Sequence, residues 1–137
     1  MIYKKEVMEY RDRGGSKSVK NIIFIVTKDC QLACKYCYLV GKNSNEKMTW
    51  EIGKQTIDYI LNEFSQSKGI ILDFIGGEPF LEIELIDRIC DYFKVEAYKR
   101  DLACFNNYRF NVSTNGINYN SPKVQEFICK NKKHVSI

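Results

Sequence analysis

The chain has 137 residues, enough for one domain and too few for two ordinary ones. Apolar residues make up 45% and charged residues 28%, the balance of a chain that buries a core, which excludes disorder as a description of the whole. The net charge of +4 rests on scattered lysines, so no nucleic-acid partner is expected, and the longest apolar run, Ile22–Val26, falls far short of the ~20 residues of a membrane span.

Residues 1–19 read as a lead-in, with Arg11–Ser18 polar, glycine-bearing and loop-like. Ordered structure is expected from residue 20 to residue 137, with the first strand starting at Asn21. Ile22-Ile23-Phe24-Ile25-Val26 is a continuous branched run, the pattern of a strand buried on both faces. A cysteine-rich loop and the polar stretch Gly41–Glu46 follow. Thr49 is placed to cap a helix whose apolar stripe is Ile57, Ile60, Leu61 and Phe64. Gly69 marks a turn into a second buried strand, Ile70–Ile75, which Gly76-Gly77-Glu78-Pro79 closes. Ile86, Ile89, Cys90 and Phe93 form a second helical stripe. Asn106-Asn107 is a turn, Tyr108–Val112 alternates as a third strand, and Ser113-Thr114-Asn115-Gly116 ends it. Ser121 and Pro122 open a third helix with Val124, Phe127 and Ile128 on its apolar face, and Val135–Ile137 begins a fourth strand.

Alternating helices and apolar strands predict a parallel α/β sheet with right-handed crossovers. A closed barrel of such units takes ~200 residues or more, so the expectation is part of a barrel: three βα units and the start of a fourth strand. Parallel α/β proteins place ligands at the C-terminal ends of their strands. The cysteine loop, Gly76–Pro79 and Ser113–Gly116 all fall there, on one rim.

Cys30, Cys34 and Cys37 are spaced C-x3-C-x2-C. Nothing at the start of the chain resembles an export signal, so the cytoplasm is the expected location, where clustered cysteines bind metal or do redox chemistry. A tetrahedral zinc site would need a fourth ligand. His134, the single histidine, lies far along the chain, so zinc would have to draw on Cys90, Cys104 or Cys129. An iron–sulfur cubane on three thiolates instead leaves one iron open to a small molecule. Among the remaining polar residues, Asp73 in an apolar strand must be paired or face the rim. Tyr38 reads as packing, His134 as structural, Cys90 and Cys129 as core thiols, and Cys104 as part of a polar loop. Lys28, Lys35 and Lys42 read as solvated lysines near the cysteines.

C-x3-C-x2-C with an aromatic before the last cysteine, followed after the next strand by Gly76-Gly77-Glu78-Pro79, resembles the cluster loop and GGEP motif of the radical S-adenosylmethionine (SAM) family. Ser113-Thr114-Asn115-Gly116 is similar to the strand ending of its peptide- and protein-maturing members, although Gln31 stands where many of them carry asparagine. The resemblance covers residues 20–137 and implies a truncated radical SAM core, a partial (β/α) barrel. It implies that Cys30, Cys34 and Cys37 ligate a 4Fe–4S cluster whose fourth iron takes the amino and carboxylate groups of SAM. Reductive cleavage would then release a 5′-deoxyadenosyl radical. It further implies Tyr36 beside the adenine, the backbone of Gly76, Gly77 and Glu78 at the methionine amino group, and Ser113 and Asn115 at the methionine end. The implied partners are a peptide or protein substrate and an electron donor such as a flavodoxin or ferredoxin. Thioether cross-linking is the first reaction suggested, with side-chain oxidation of the sulfatase-maturing kind beside it. No catalytic acid or base can be assigned. A non-catalytic iron–sulfur or zinc module, or an inactive fragment of a truncated gene, are the competing readings.

Overall fold

The computed structural model describes residues 10–11, 18–39 and 43–137. Much of the lead-in and Lys42 lie outside the described residues. Tyr10–Arg11 form a short strand, β1, where the sequence suggested loop. The next strand, β2, runs Val19–Thr27, starting two residues before Asn21. It is followed by α1 (Trp50–Glu63), β3 (Gly69–Gly76), α2 (Ile83–Lys99), β4 (Tyr108–Val112), α3 (Pro122–Lys130) and β5 (Val135–Ser136). The sheet order is the chain order, β1-β2-β3-β4-β5. β1 pairs antiparallel with β2, and every later pair is parallel. Repeated right-handed crossovers with one step per unit produce this order. It is compatible with a partial (β/α) barrel.

Strand alternation decides the core. Ile22, Phe24 and Val26 of β2, Ile70, Leu72 and Phe74 of β3, and Phe110 and Val112 of β4 are buried. Ile57, Ile60 and Leu61 of α1 and Ile86, Ile89, Cys90 and Phe93 of α2 belong to the same core. The Phe24 and Phe74 rings lie 5.3 Å apart, a pair worth about 1 kcal/mol beyond its buried area. The opposite face is different. Asn21, Ile23, Ile25, Ile71, Asp73, Ile75 and Asn111 are only half-buried. The strands are therefore not buried on both faces: the helices cover one, and no described element covers the other. Register puts Ile23, Asp73, Asn111 and Ser136 in one row across that open face.

The helices are stitched to their neighbours. Thr49 caps α1 as expected, accepting from the Ile52 N–H. Tyr92 of α2 donates to Asp58 of α1 at 2.9 Å, and Arg100 binds Asp58 at 2.8 Å and Asn62 at 2.9 Å. Trp50 meets the Tyr92 ring edge-on, and the Arg88 guanidinium lies 3.9 Å from the Trp50 ring centre. Lys130 of α3 reaches Asp87 and Asp91 of α2. His134 stacks on Tyr108 at 4.1 Å, the structural role expected of it. Two thiols depart from expectation. Cys129 is exposed on α3, because the helix turns it away from the Val124–Phe127 stripe. Cys104 is buried within a single 3-10 turn, Ala103–Asn106, and that burial pushes its thiol up.

Candidate functional site

The cysteine loop leaves the C-terminal end of β2 without helix or strand. Its base is fixed by short-range bonds. The Asp29 N–H donates to the Thr27 hydroxyl at 3.1 Å, and the Cys30 N–H donates to the Asp29 carboxylate at 2.9 Å. The Cys37 N–H bonds the Cys34 carbonyl at 3.2 Å, which holds those two cysteines across one turn. All three thiols are free and partly exposed. The Cys30 sulfur accepts the Leu32 N–H at 3.4 Å and the Asn115 side-chain amide at 3.7 Å. Lys28 is committed to Glu46 at 2.6 Å, and Lys35 is exposed.

The Gly76–Gly77 segment docks on that base. The Gly77 N–H donates to the Thr27 carbonyl and the Glu78 N–H to the Asp29 carbonyl, each at 2.8 Å. Side chains do not fit here: a Cβ on Gly76 would lie 2.3 Å from the Thr27 oxygen, and one on Gly77 2.0 Å from the Asp29 oxygen. The glycines thus answer first to the neighbouring strand end and only then to any ligand. With both N–H groups used, only carbonyl oxygens remain to receive a donor such as an ammonium group.

Glu78 is fully buried. Its carboxylate accepts the Phe80 N–H at 2.9 Å, the Thr114 hydroxyl at 2.7 Å and the Asn115 N–H at 2.7 Å. The side chain therefore ties the end of β3 to the end of β4, a structural role beyond the backbone contact expected of it. The Asn115 amide is oriented by its partners: Oδ1 accepts the Ile117 N–H at 3.0 Å, so Nδ2 is the end that donates to Cys30 and, at 3.3 Å, to Gln31.

An open cleft of about 780 Å³ lies at the ends of β3 and β4. Tyr38, Ile75–Gly77, Val112–Gly116, Tyr119 and Ile137 line it, so Gly76, Gly77, Ser113 and Asn115 share one cavity. Tyr36 is not part of that lining and is 90% exposed. Tyr38, read from sequence as packing, is 65% exposed, and its hydroxyl points at the Gly76 carbonyl from 3.4 Å. Burial, then the neighbouring Cys37, pushes its phenol up. Asp73 is neither paired nor at the rim. Its Oδ1 is buried without a partner, and burial raises its carboxyl. It sits on the same strand face as Ile75, the open one, in register with Asn111 of β4. Sequence reading missed Thr114 and Tyr38. Thr114 stands 36 residues from the carboxylate it binds, and no local pattern announces such a tie.

The family model of the 4Fe-4S single cluster domain matches residues 15–131. This chain belongs to that family, within the radical SAM superfamily. An uncharacterized protein of Methanocaldococcus jannaschii is 45% identical over 74 residues, covering 54% of this chain and 24% of its own length. The radical SAM cyclopropyl synthase TigE of Paramaledivibacter caminithermalis is 25% identical over 86% of this chain and 29% of its own length. The AdoMet-dependent heme synthase of Oleidesulfovibrio alaskensis is 29% identical over 55% of this chain and 19% of its own. The chain thus spans less than a third of each of these relatives.

The radical SAM domain described here presents a donor set that suits an iron–sulfur cluster better than zinc. Cys90 is buried within the core, Cys104 lies in the turn before β4, at the opposite end of the sheet, and Cys129 is exposed on α3. None supplies a fourth thiolate to the loop. Among the described residues, no three His, Cys, Asp or Glu side chains converge on a point that would hold a single ion. Three free, partly exposed thiols on one loop suit a larger group held by cysteine thiolates. No helix among the described residues is long and apolar enough to cross a membrane.

Proposed function

We propose that this chain carries the cluster-binding and cofactor-binding machinery of a radical SAM enzyme that modifies a peptide or protein. The observation that carries the reading is the convergence of Cys30, Gln31 and Asn115 beside a cleft walled by Gly76 and Gly77. Cys30, Cys34 and Cys37 hold the 4Fe–4S cluster. Bound there, the cluster would supply one-electron reduction of the SAM sulfonium. The carbonyls of Gly76 and Gly77 receive the methionine ammonium, because the N–H groups of Gly77 and Glu78 are already used by β2. Ser113, on the cleft wall, would contact the methionine end. Tyr36, exposed on the cysteine loop, is free to cover an adenine.

A peptide substrate is supported by the Ser113–Gly116 ending, which resembles that of peptide-modifying members, and by a cleft open to solvent. Thioether cross-linking of a cysteine-bearing peptide is the reaction to test first. A small reduced flavodoxin or ferredoxin fits the need for an electron, since the three cysteines are partly exposed. Free thiols agree with a reducing cytoplasm.

The test is electron paramagnetic resonance on anaerobically reconstituted, dithionite-reduced protein, with and without SAM, and with Cys34→Ala as control. A cluster signal that shifts on adding SAM and is lost in Cys34→Ala is the expected result. A cluster signal indifferent to SAM overturns the cofactor-binding reading, and colourless protein containing zinc overturns both.

A further inference from the structure

We infer that Asn115 is a positioning residue that tunes the cluster through the Cys30 sulfur, and that Glu78 holds it in place. The inference rests on the function proposed above and deepens it. The resemblance to the family would send Asn115 to the methionine end of the cofactor. Here its side chain is engaged elsewhere. Oδ1 accepts the Ile117 N–H at 3.0 Å, which fixes the amide's orientation and leaves Nδ2 as the donor. Nδ2 lies 3.7 Å from Cys30 Sγ and 3.3 Å from Gln31 Oε1. The backbone of Asn115 is pinned in turn, its N–H donating to the buried Glu78 carboxylate at 2.7 Å. A loop 85 residues along the chain from Cys30 therefore delivers a neutral donor to one chosen sulfur.

The choice is asymmetric. Cys30 Sγ receives Leu32 N–H and Asn115 Nδ2, whereas among the described residues the Cys34 and Cys37 sulfurs receive none. A hydrogen bond to a ligating sulfur withdraws electron density from it and stabilises the reduced cluster, which raises its reduction potential. Asn115 thus makes the cluster easier to reduce than the bare three-cysteine loop would. Glu78 acts through Asn115 and touches no cluster ligand itself.

Two readouts test this on the reconstituted protein without any turnover. The first is the pulsed-EPR hyperfine spectrum of the reduced cluster in protein labelled with 15N in asparagine side chains. The wild type should show a weak 15N coupling, and Asn115→Asp should lose it. The second is the midpoint potential from a dye-mediated redox titration, which should fall in Asn115→Asp and less so in Asn115→Ala. A wild-type cluster with no asparagine coupling overturns the inference while leaving the cluster reading intact, as does an Asn115→Asp potential equal to the wild type's. A wild type that takes up no cluster overturns both. The hyperfine measurement is made on the wild type, so the answer does not depend on whether a variant folds.

Discussion

The Glu78 carboxylate receives the Asn115 backbone N–H at 2.7 Å, deep enough that Glu78 itself has no solvent exposure. Three donors meet on this one side chain: Asn115, the Thr114 hydroxyl and the Phe80 N–H. Removing an acceptor strands buried donors, each at the cost of an unmade hydrogen bond. Glu78→Ala should lower the unfolding free energy by about 3 kcal/mol, measured by urea denaturation. Glu78→Gln keeps the shape and one acceptor oxygen and should lose less. An Ala variant as stable as the wild type would show that this tie does not matter.

Gly77 and Gly116 separate two reasons for glycine. At Gly77 an added Cβ would sit 2.0 Å from the Asp29 carbonyl, so Gly77→Ala must push the base of the cysteine loop aside. Iron bound per chain after reconstitution should drop severalfold. At Gly116 nothing lies within 4 Å, and only the backbone φ of +81° disfavours a side chain. Gly116→Ala should cost about 1 kcal/mol of stability and leave iron content unchanged.

Two aspartates should give opposite pH dependences. Burial raises the Asp73 carboxyl, so the folded state holds that proton more tightly than the unfolded chain does. Stability from this group is fully present below the ordinary carboxylate range, near ~4, and is lost as pH rises through the raised value. Asp73→Asn should match the wild type at acid pH and exceed it towards neutrality, read as urea midpoints across that range.

At Asp58, burial pushes the carboxyl up, but bonds from Lys54 and Tyr92, with Arg100, outweigh it and hold the group below its ordinary range. Its contribution is present above that range and fades as pH falls through the lowered value. Asp58→Asn should therefore cost stability at neutral pH, about 1 kcal/mol or less for a partly exposed group screened by solvent. That deficit should shrink in acid.

The cysteines should divide by burial. Cys90 is wholly buried, which raises its thiol well above the usual range, and Cys104 is raised by burial too. Both should resist alkylation until the chain unfolds. Cys30, Cys34, Cys37 and Cys129 are accessible and should react in the protein without iron. After cluster loading, mass spectrometry should find Cys129 modified and the other three protected. Modification of all four at the original rate would contradict the proposed ligands.

The sheet was legible because strand and helix periods differ so plainly along this chain. Ile22–Val26 and Ile70–Ile75 read as strands by their short length, β-branched residues and flanking turns, while Ile57, Ile60 and Leu61 share a helix face. That the cysteine loop and Ser113–Gly116 share one rim followed from topology alone, since both lie just beyond strand C-termini, whereas the bond from Asn115 to Cys30 did not. Burial on both faces did not follow, because an unbroken apolar run looks the same whether one sheet face is covered or two. The ties from Glu78 were invisible. They join residues 36 and 37 positions apart, and a Glu before a proline reads equally well as an exposed turn.

The α1–α2 seam has an optical consequence. Trp50, the chain's single tryptophan, lies there between the Tyr92 ring and the Arg88 guanidinium. Its fluorescence therefore comes from one known place, the first turn of α1 on the helical layer. Emission wavelength will follow water entry at the seam, while a bound chromophore at the loop can dim the same emission only across space, by energy transfer. One residue thus separates loosening of the helices from loading of the loop, in a single unlabelled sample.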